Sequence, residues 1–190
     1  PTSEIRFITD PENAGLDNID ISFYVAAHEL THQWWGNQVI PADVKGAHFI
    51  TESVTEYITA KIYEKTYGKS SALKFLNIQM DRYLNGRAEE SGTEMPLIYV
   101  TPEQSYISYG KGAVAFYTLS EYIGEDNLNK ALKEYLDNVM YKGQPYTNSL
   151  ELLTYIYKNT PDSLHYLISD LFESTNPEII KKHFNSLKIN

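Results

Sequence analysis

The chain has 190 residues, enough for one domain with a core of its own and too few for two of ordinary size. Its 25 acidic residues against 16 basic ones leave a formal charge of −9, which disfavours nucleic acid as a partner, because phosphate binding needs a basic face. The absence of Cys excludes disulfide stapling and thiolate metal ligands. No run approaches the roughly eighteen apolar residues needed to span a bilayer, and the sequence reads as soluble. It opens at Pro1 without an initiator Met and is expected to be a piece of a longer protein.

Residues Glu4 to Thr9 (EIRFIT) alternate charged and apolar, the pattern of a short half-exposed strand. A lone strand leaves its backbone groups unpaired, so the rest of its sheet is expected upstream. The stretch from Asp10 to Asp20, rich in Asp, Asn, Pro and Gly, reads as a loop. Asp20 or Ser22 can then cap a helix with Phe23, Ala27, Leu30 and Trp34 as its apolar face, closing at Gly36. A second helix is expected from about Phe49 to Tyr67, carrying Ile50, Val54, Ile58 and Ile62 at four-residue steps and stopping at Gly68. A third starts at Ser70 or Ser71 and ends near Gly86. After a loop from Arg87 to Tyr106, helices are expected over Lys111–Ile123, Asp126–Met140, Ser149–Lys158 and Ser163–Phe172. The fold class is therefore mainly α with one short N-terminal strand. It is organised as a strand and loop (1–20), two helices around a candidate metal site (21–67), a helical lobe (70–175) and a basic tail (176–190) with no assigned role.

The chemistry concentrates in HELTH. His28 and His32 are four residues apart, about 40° around a helix, so both imidazoles leave one face and can grip one zinc ion. Glu29, one residue on, is placed to take a proton from a zinc-bound water. The same pentapeptide also arises by chance on ordinary amphipathic helices, so the surroundings decide its meaning. A catalytic zinc wants a third protein ligand and an open position. Gly36 falls one place late for HExxHxxGxxH, which excludes the metzincin arrangement. His48 and Glu52 remain. Glu52 is the better choice, because the nineteen residues between it and His32 suffice for a turn, a loop and the start of a partner helix. Glu56, one turn further, is either a partner for the outer nitrogen of a ligand His or a solvated helix carboxylate.

With these residues in place, HELTHQWWGN followed by FITESVTEY resembles the gluzincin peptidases, and HQWWGN resembles the aminopeptidase N family in particular. The blocks HQWWGNQVIPADVKGA, DRYLNGR, EMPL, YISYGKGA and YTNSLELL resemble the branch fused to ABC transporter permeases. The resemblance implies the helical part of a thermolysin-like catalytic domain and zinc-dependent hydrolysis of peptides. It further implies a bacterial parent associated with the membrane through a permease segment. By the same likeness His28, His32 and Glu52 would bind Zn2+, Glu29 would be the general base, and Tyr109 would donate to the oxyanion. The family's GxMEN segment is absent in that form. Glu4 stands at the corresponding distance and is the candidate partner for a substrate's amino terminus, on which exopeptidase action depends. The alternative from another class is a zinc-bearing module that binds peptides or a partner for a transporter without cleaving.

Overall fold

The computed structural model describes residues 19–188, so Glu4, the EIRFIT stretch and most of the loop before Asp20 lie outside the described residues. Helix α1 (Ile21–Thr31) begins where the Asp20 carboxylate accepts the Phe23 amide at 2.9 Å, so Asp20 is the cap. It ends five residues before Gly36. Thr31 turns its hydroxyl back onto the Ala27 carbonyl at 2.8 Å, and the chain tightens through Gln33 and Trp34. That turn drops Trp35 into the core, 3% exposed, with its indole parallel to the Tyr135 ring at 6.0 Å. Burying an indole contributes about 2–3 kcal/mol, more than one further helical turn would return. The expected apolar face is corrected accordingly. Leu30 and Trp34 are 61% and 44% exposed, while Val25, Ala27, His28 and Thr31 face inward.

A π-helical turn, Phe49–Ser53, leads directly into α2 (Val54–Tyr67), which stops at Gly68 where φ is +86°. Ile50 and Val54 are fully buried, and Ile58 and Ile62 are partly so. Helix α3 (Lys69–Glu89) runs through Gly86 rather than ending there. A second π-helical turn, Tyr106–Lys111, continues into α4 (Gly112–Ile123), followed by α5 (Glu125–Val139) and α6 (Ser149–Lys158). The stretch expected as one helix over 163–172 is broken into a 3-10 turn, the short α7 (His165–Ile168) and a third π-helical turn, Ser169–Glu173. Residues 177–186 form α8 (Pro177–Ser186), whose Ile180 and Phe184 are buried and which packs on α4. Among the described residues there is no strand, only isolated bridges joining Trp35 to Val39 and Pro41 to Thr147. None of the described helices is long and apolar enough to cross a membrane.

The core is built around α4. Residues Gly112 to Ser120 are all buried, as expected of a helix apolar on every side, and α2, α3, α5 and α8 pack around it. Phe49, Phe116 and Phe172 meet with ring centroids 4.8–5.2 Å apart, tying the two π-helical turns nearest the chain ends to α4. Two close backbone approaches position the turn Tyr106–Lys111. A Cβ at Gly110 would stand 2.7 Å from the Gln79 carbonyl of α3, and one at Gly112 would stand 2.4 Å from Ser53 Oγ. Ser53 Oγ in turn donates to the Ser108 carbonyl at 2.7 Å. The two π-helical turns, 49–53 and 106–111, are thus locked side by side.

Gly112→Ala is expected to destabilise the protein by about 1–3 kcal/mol through this overpacking. Thermal unfolding measures it, and an unchanged midpoint would show that the two turns are not locked as described.

Candidate metal centre

Helix α1 brings His28 and His32 to one side, one turn apart, with Nε2 atoms 3.0 Å from each other. The π-helical turn Phe49–Ser53 carries Glu52 opposite them, its Oε2 at 3.6 Å from each Nε2. Widened turns of this kind are common at functional sites, where they re-aim a side chain. Of the two third-ligand candidates, Glu52 joins the histidines and His48 does not. His48 sits at the entrance to the same turn, its Nδ1 buried without a hydrogen-bond partner.

The outer nitrogens determine what the inner ones can do. His32 Nδ1 donates to the Trp35 carbonyl at 2.8 Å, an acceptor that can only receive. His28 Nδ1 lies 2.9 Å from Glu56 Oε1, a close ion-pair contact although the angle is too oblique for a regular hydrogen bond. His32 therefore offers its Nε2 lone pair inward, and in the tautomer that also keeps the His28 proton on Nδ1, facing Glu56, both Nε2 atoms present lone pairs to one another and to Glu52 Oε2, which is buried without a hydrogen-bond partner. In that tautomer three acceptors face each other with no donor between them, an arrangement that costs free energy unless something positive sits among them. A tetrahedral ion bonded at about 2.0–2.1 Å sets neighbouring donor atoms about 3.3 Å apart, and the observed 3.0, 3.6 and 3.6 Å bracket that spacing. Two imidazoles and one carboxylate are also the donor set of a catalytic zinc, with room for a fourth ligand. The residues fit the ion.

In the absence of a cation a proton answers the same demand. Burial acts to lower the pKa of His28, but the Glu52 and Glu56 carboxylates beside its two nitrogens outweigh burial and raise the value to about 9. Burial likewise acts to raise Glu52, and is overcome by the neighbouring His28, Tyr109 and His32, which leave it below the usual carboxylate range.

Glu56 lies wholly buried beneath this cluster, so its reading as a solvated carboxylate is excluded. Tyr109 is carried in by the turn Tyr106–Lys111. Its ring stacks on His28 with centroids 5.6 Å apart, and the guanidinium of Arg82 lies over it at 4.4 Å. Burial, and then the Glu52 carboxylate, hold its phenol above the ordinary range, so it keeps its proton at neutral pH. Glu29 follows His28 on the exposed side of α1. Sequence reasoning missed Tyr24, Gln79, Arg82 and the Trp35 carbonyl. Tyr24 alone had a signal, standing one helical turn before His28.

A family model described as the peptidase family M1 domain matches residues 2–171. The chain belongs to peptidase family M1. Bovine aminopeptidase N is 32% identical to this M1 chain over 169 residues, covering 82% of it and 17% of the bovine protein. The rat aminopeptidase N is 28% identical over 159 residues, covering 79% and 16% respectively. The M1 chain therefore spans about a sixth of the length of these curated relatives. Among solved structures, an M1 zinc metallopeptidase mutant from Deinococcus radiodurans, bound to a Tyr-Ser-Ala substrate, matches with a TM-score of 0.62 at 20% identity. That match covers 88% of this M1 chain and 35% of the other, and shows that the two share a fold.

Zinc requires a neutral His28, whereas the metal-free protein carries a proton there up to about pH 9. The apparent zinc dissociation constant is therefore expected to fall about tenfold per unit rise in pH below that value and to level off above it. Chelator competition across this range measures the slope, and a constant independent of pH would contradict the assignment.

Proposed function

We propose that this M1 chain is the catalytic part of a zinc-dependent aminopeptidase. The observation that carries the reading is the convergence of His28, His32 and Glu52 beside Tyr109, with Glu29 on the same helix. Zinc held by the first three would supply a Lewis acid for the scissile carbonyl and for the attacking water. Glu29 takes the proton from that water and later delivers it to the leaving amine. The Tyr109 hydroxyl, still protonated at neutral pH, donates to the oxygen on which negative charge develops. Its stacking between neighbouring groups limits the freedom of the ring and so lowers the cost of aiming that donor.

The exopeptidase part of the reading rests on Glu4 as the partner of a substrate ammonium, and Glu4 lies outside the described residues. The transporter-linked, membrane-associated bacterial parent rests on the sequence blocks HQWWGNQVIPADVKGA, DRYLNGR, EMPL, YISYGKGA and YTNSLELL.

Glu29→Gln is expected to retain zinc while losing peptide hydrolysis by about 10²–10⁴-fold in kcat/KM. Turnover at the parental rate would sink the mechanism. Comparing free and N-blocked peptides on the same preparation separates exopeptidase from endopeptidase action. Zinc retained without any cleavage would identify a binding module instead.

A further inference from the structure

Glu56 is the one carboxylate of the site that is fully buried, and the group facing it is the back of the His28 ring. A buried carboxylate persists only where donors surround it. Two neutral donors do so here. The Tyr24 hydroxyl, from α1, donates to Oε1 at 2.6 Å, the same oxygen that lies 2.9 Å from His28 Nδ1. The Gln79 amide, from α3, donates to Oε2 at 2.8 Å. Three helices thus meet on one carboxylate, and each contact restricts where it can stand.

Gln79 is 4% exposed, and its amide oxygen is buried without a partner. An apolar side chain of the same length would fill that space without leaving an acceptor unsatisfied. The unpaired oxygen is explained if the amide's donor is the part the site requires. Tyr24 makes the same point from the other side, since a Phe there could pack against Phe75 as the Tyr ring does, at 5.2 Å, and only the hydroxyl would be lost.

We propose that Tyr24 and Gln79 are positioning residues of the metal centre, which fix the Glu56 carboxylate under His28 Nδ1 so that His28 holds its Nε2 towards the metal. The proposal rests on the zinc-peptidase reading for its metal. It assigns these side chains an effect on metal affinity that a helix-clamping role alone would not have.

The test uses the full chain with Tyr24→Phe and Gln79→Met, each of which removes a donor while keeping most of the volume. Zinc dissociation constants from chelator competition, and the thermal midpoints of the metal-free proteins, are measured together. Each variant is expected to bind zinc about 10–100-fold more weakly than the parent. Gln79→Glu, which keeps the shape but sets a second carboxylate against Glu56, is expected to bind it more weakly still. Zinc affinity at the parental level in Tyr24→Phe and Gln79→Met, with only the metal-free midpoint lowered, would show a structural clamp and overturn the proposal. Parental affinity in Gln79→Glu would overturn it as well, even if one of the other variants failed to fold. In either case a zinc-loaded parent that cleaves peptides leaves the peptidase reading standing. A parent that binds zinc without cleaving would overturn that reading, while the affinities still decide the roles of Tyr24 and Gln79.

Discussion

Two imidazole lone pairs and a carboxylate oxygen that face one another within 3.6 Å cannot be left as they stand. His32 commits its Nδ1 proton outward to the Trp35 carbonyl, and with the His28 Nδ1 proton turned towards Glu56 all three inward atoms are acceptors. The site therefore demands a positive charge, from a proton or a metal ion, and its surroundings are organised around that demand. His28 and Glu52 shift in opposite directions for the same reason, His28 gaining a proton and Glu52 keeping its charge.

What holds the acceptors together against their repulsion is backbone packing at a distance from the metal position. The turn bearing Glu52 is pinned by Ser53 against the turn bearing Tyr109, and glycines at 110 and 112 let that second turn sit directly on α3 and on Ser53. Phe49, three residues before Glu52, anchors the first turn in the aromatic cluster with Phe116 and Phe172. Burial of these rings contributes on the order of several kcal/mol, enough to fix the carboxylate in a position that electrostatics alone would not favour. Stability and function are thereby coupled through the same few contacts. The YISYGKGA block works as a packing device as well as a carrier of Tyr109.

The parts of this arrangement that obey helical geometry were legible in the sequence. His28 and His32, and Glu52 and Glu56, are each separated by four residues, and that step alone places each pair on one face. The distance between the two pairs was readable as a turn and a loop. The limits of α5 and α6 followed, to within a residue, from the punctuation of Gly124, Gly143 and Pro161. Among sixteen tyrosines Tyr109 stood out only through family resemblance and its place just before Gly110-Lys111-Gly112. Gln79 and Arg82 had no local signal, because they reach the site through the packing of α3, which no short-range pattern encodes. The end of α1 was misplaced because the competing term was tertiary. Burial of Trp35 against Tyr135 turns the chain before Gly36 can act as a stop, and it leaves Leu30 and Trp34 facing outward.

X-ray absorption at the zinc edge, together with elemental analysis, reads out whether His28, His32 and Glu52 form one site for a single divalent metal. About one zinc per chain is expected, with nitrogen and oxygen ligands at about 2.0–2.1 Å and outer-shell scattering from two imidazoles. Zinc uptake well below one per chain after loading, or a shell with one imidazole or with three, the third then being His48, would contradict it.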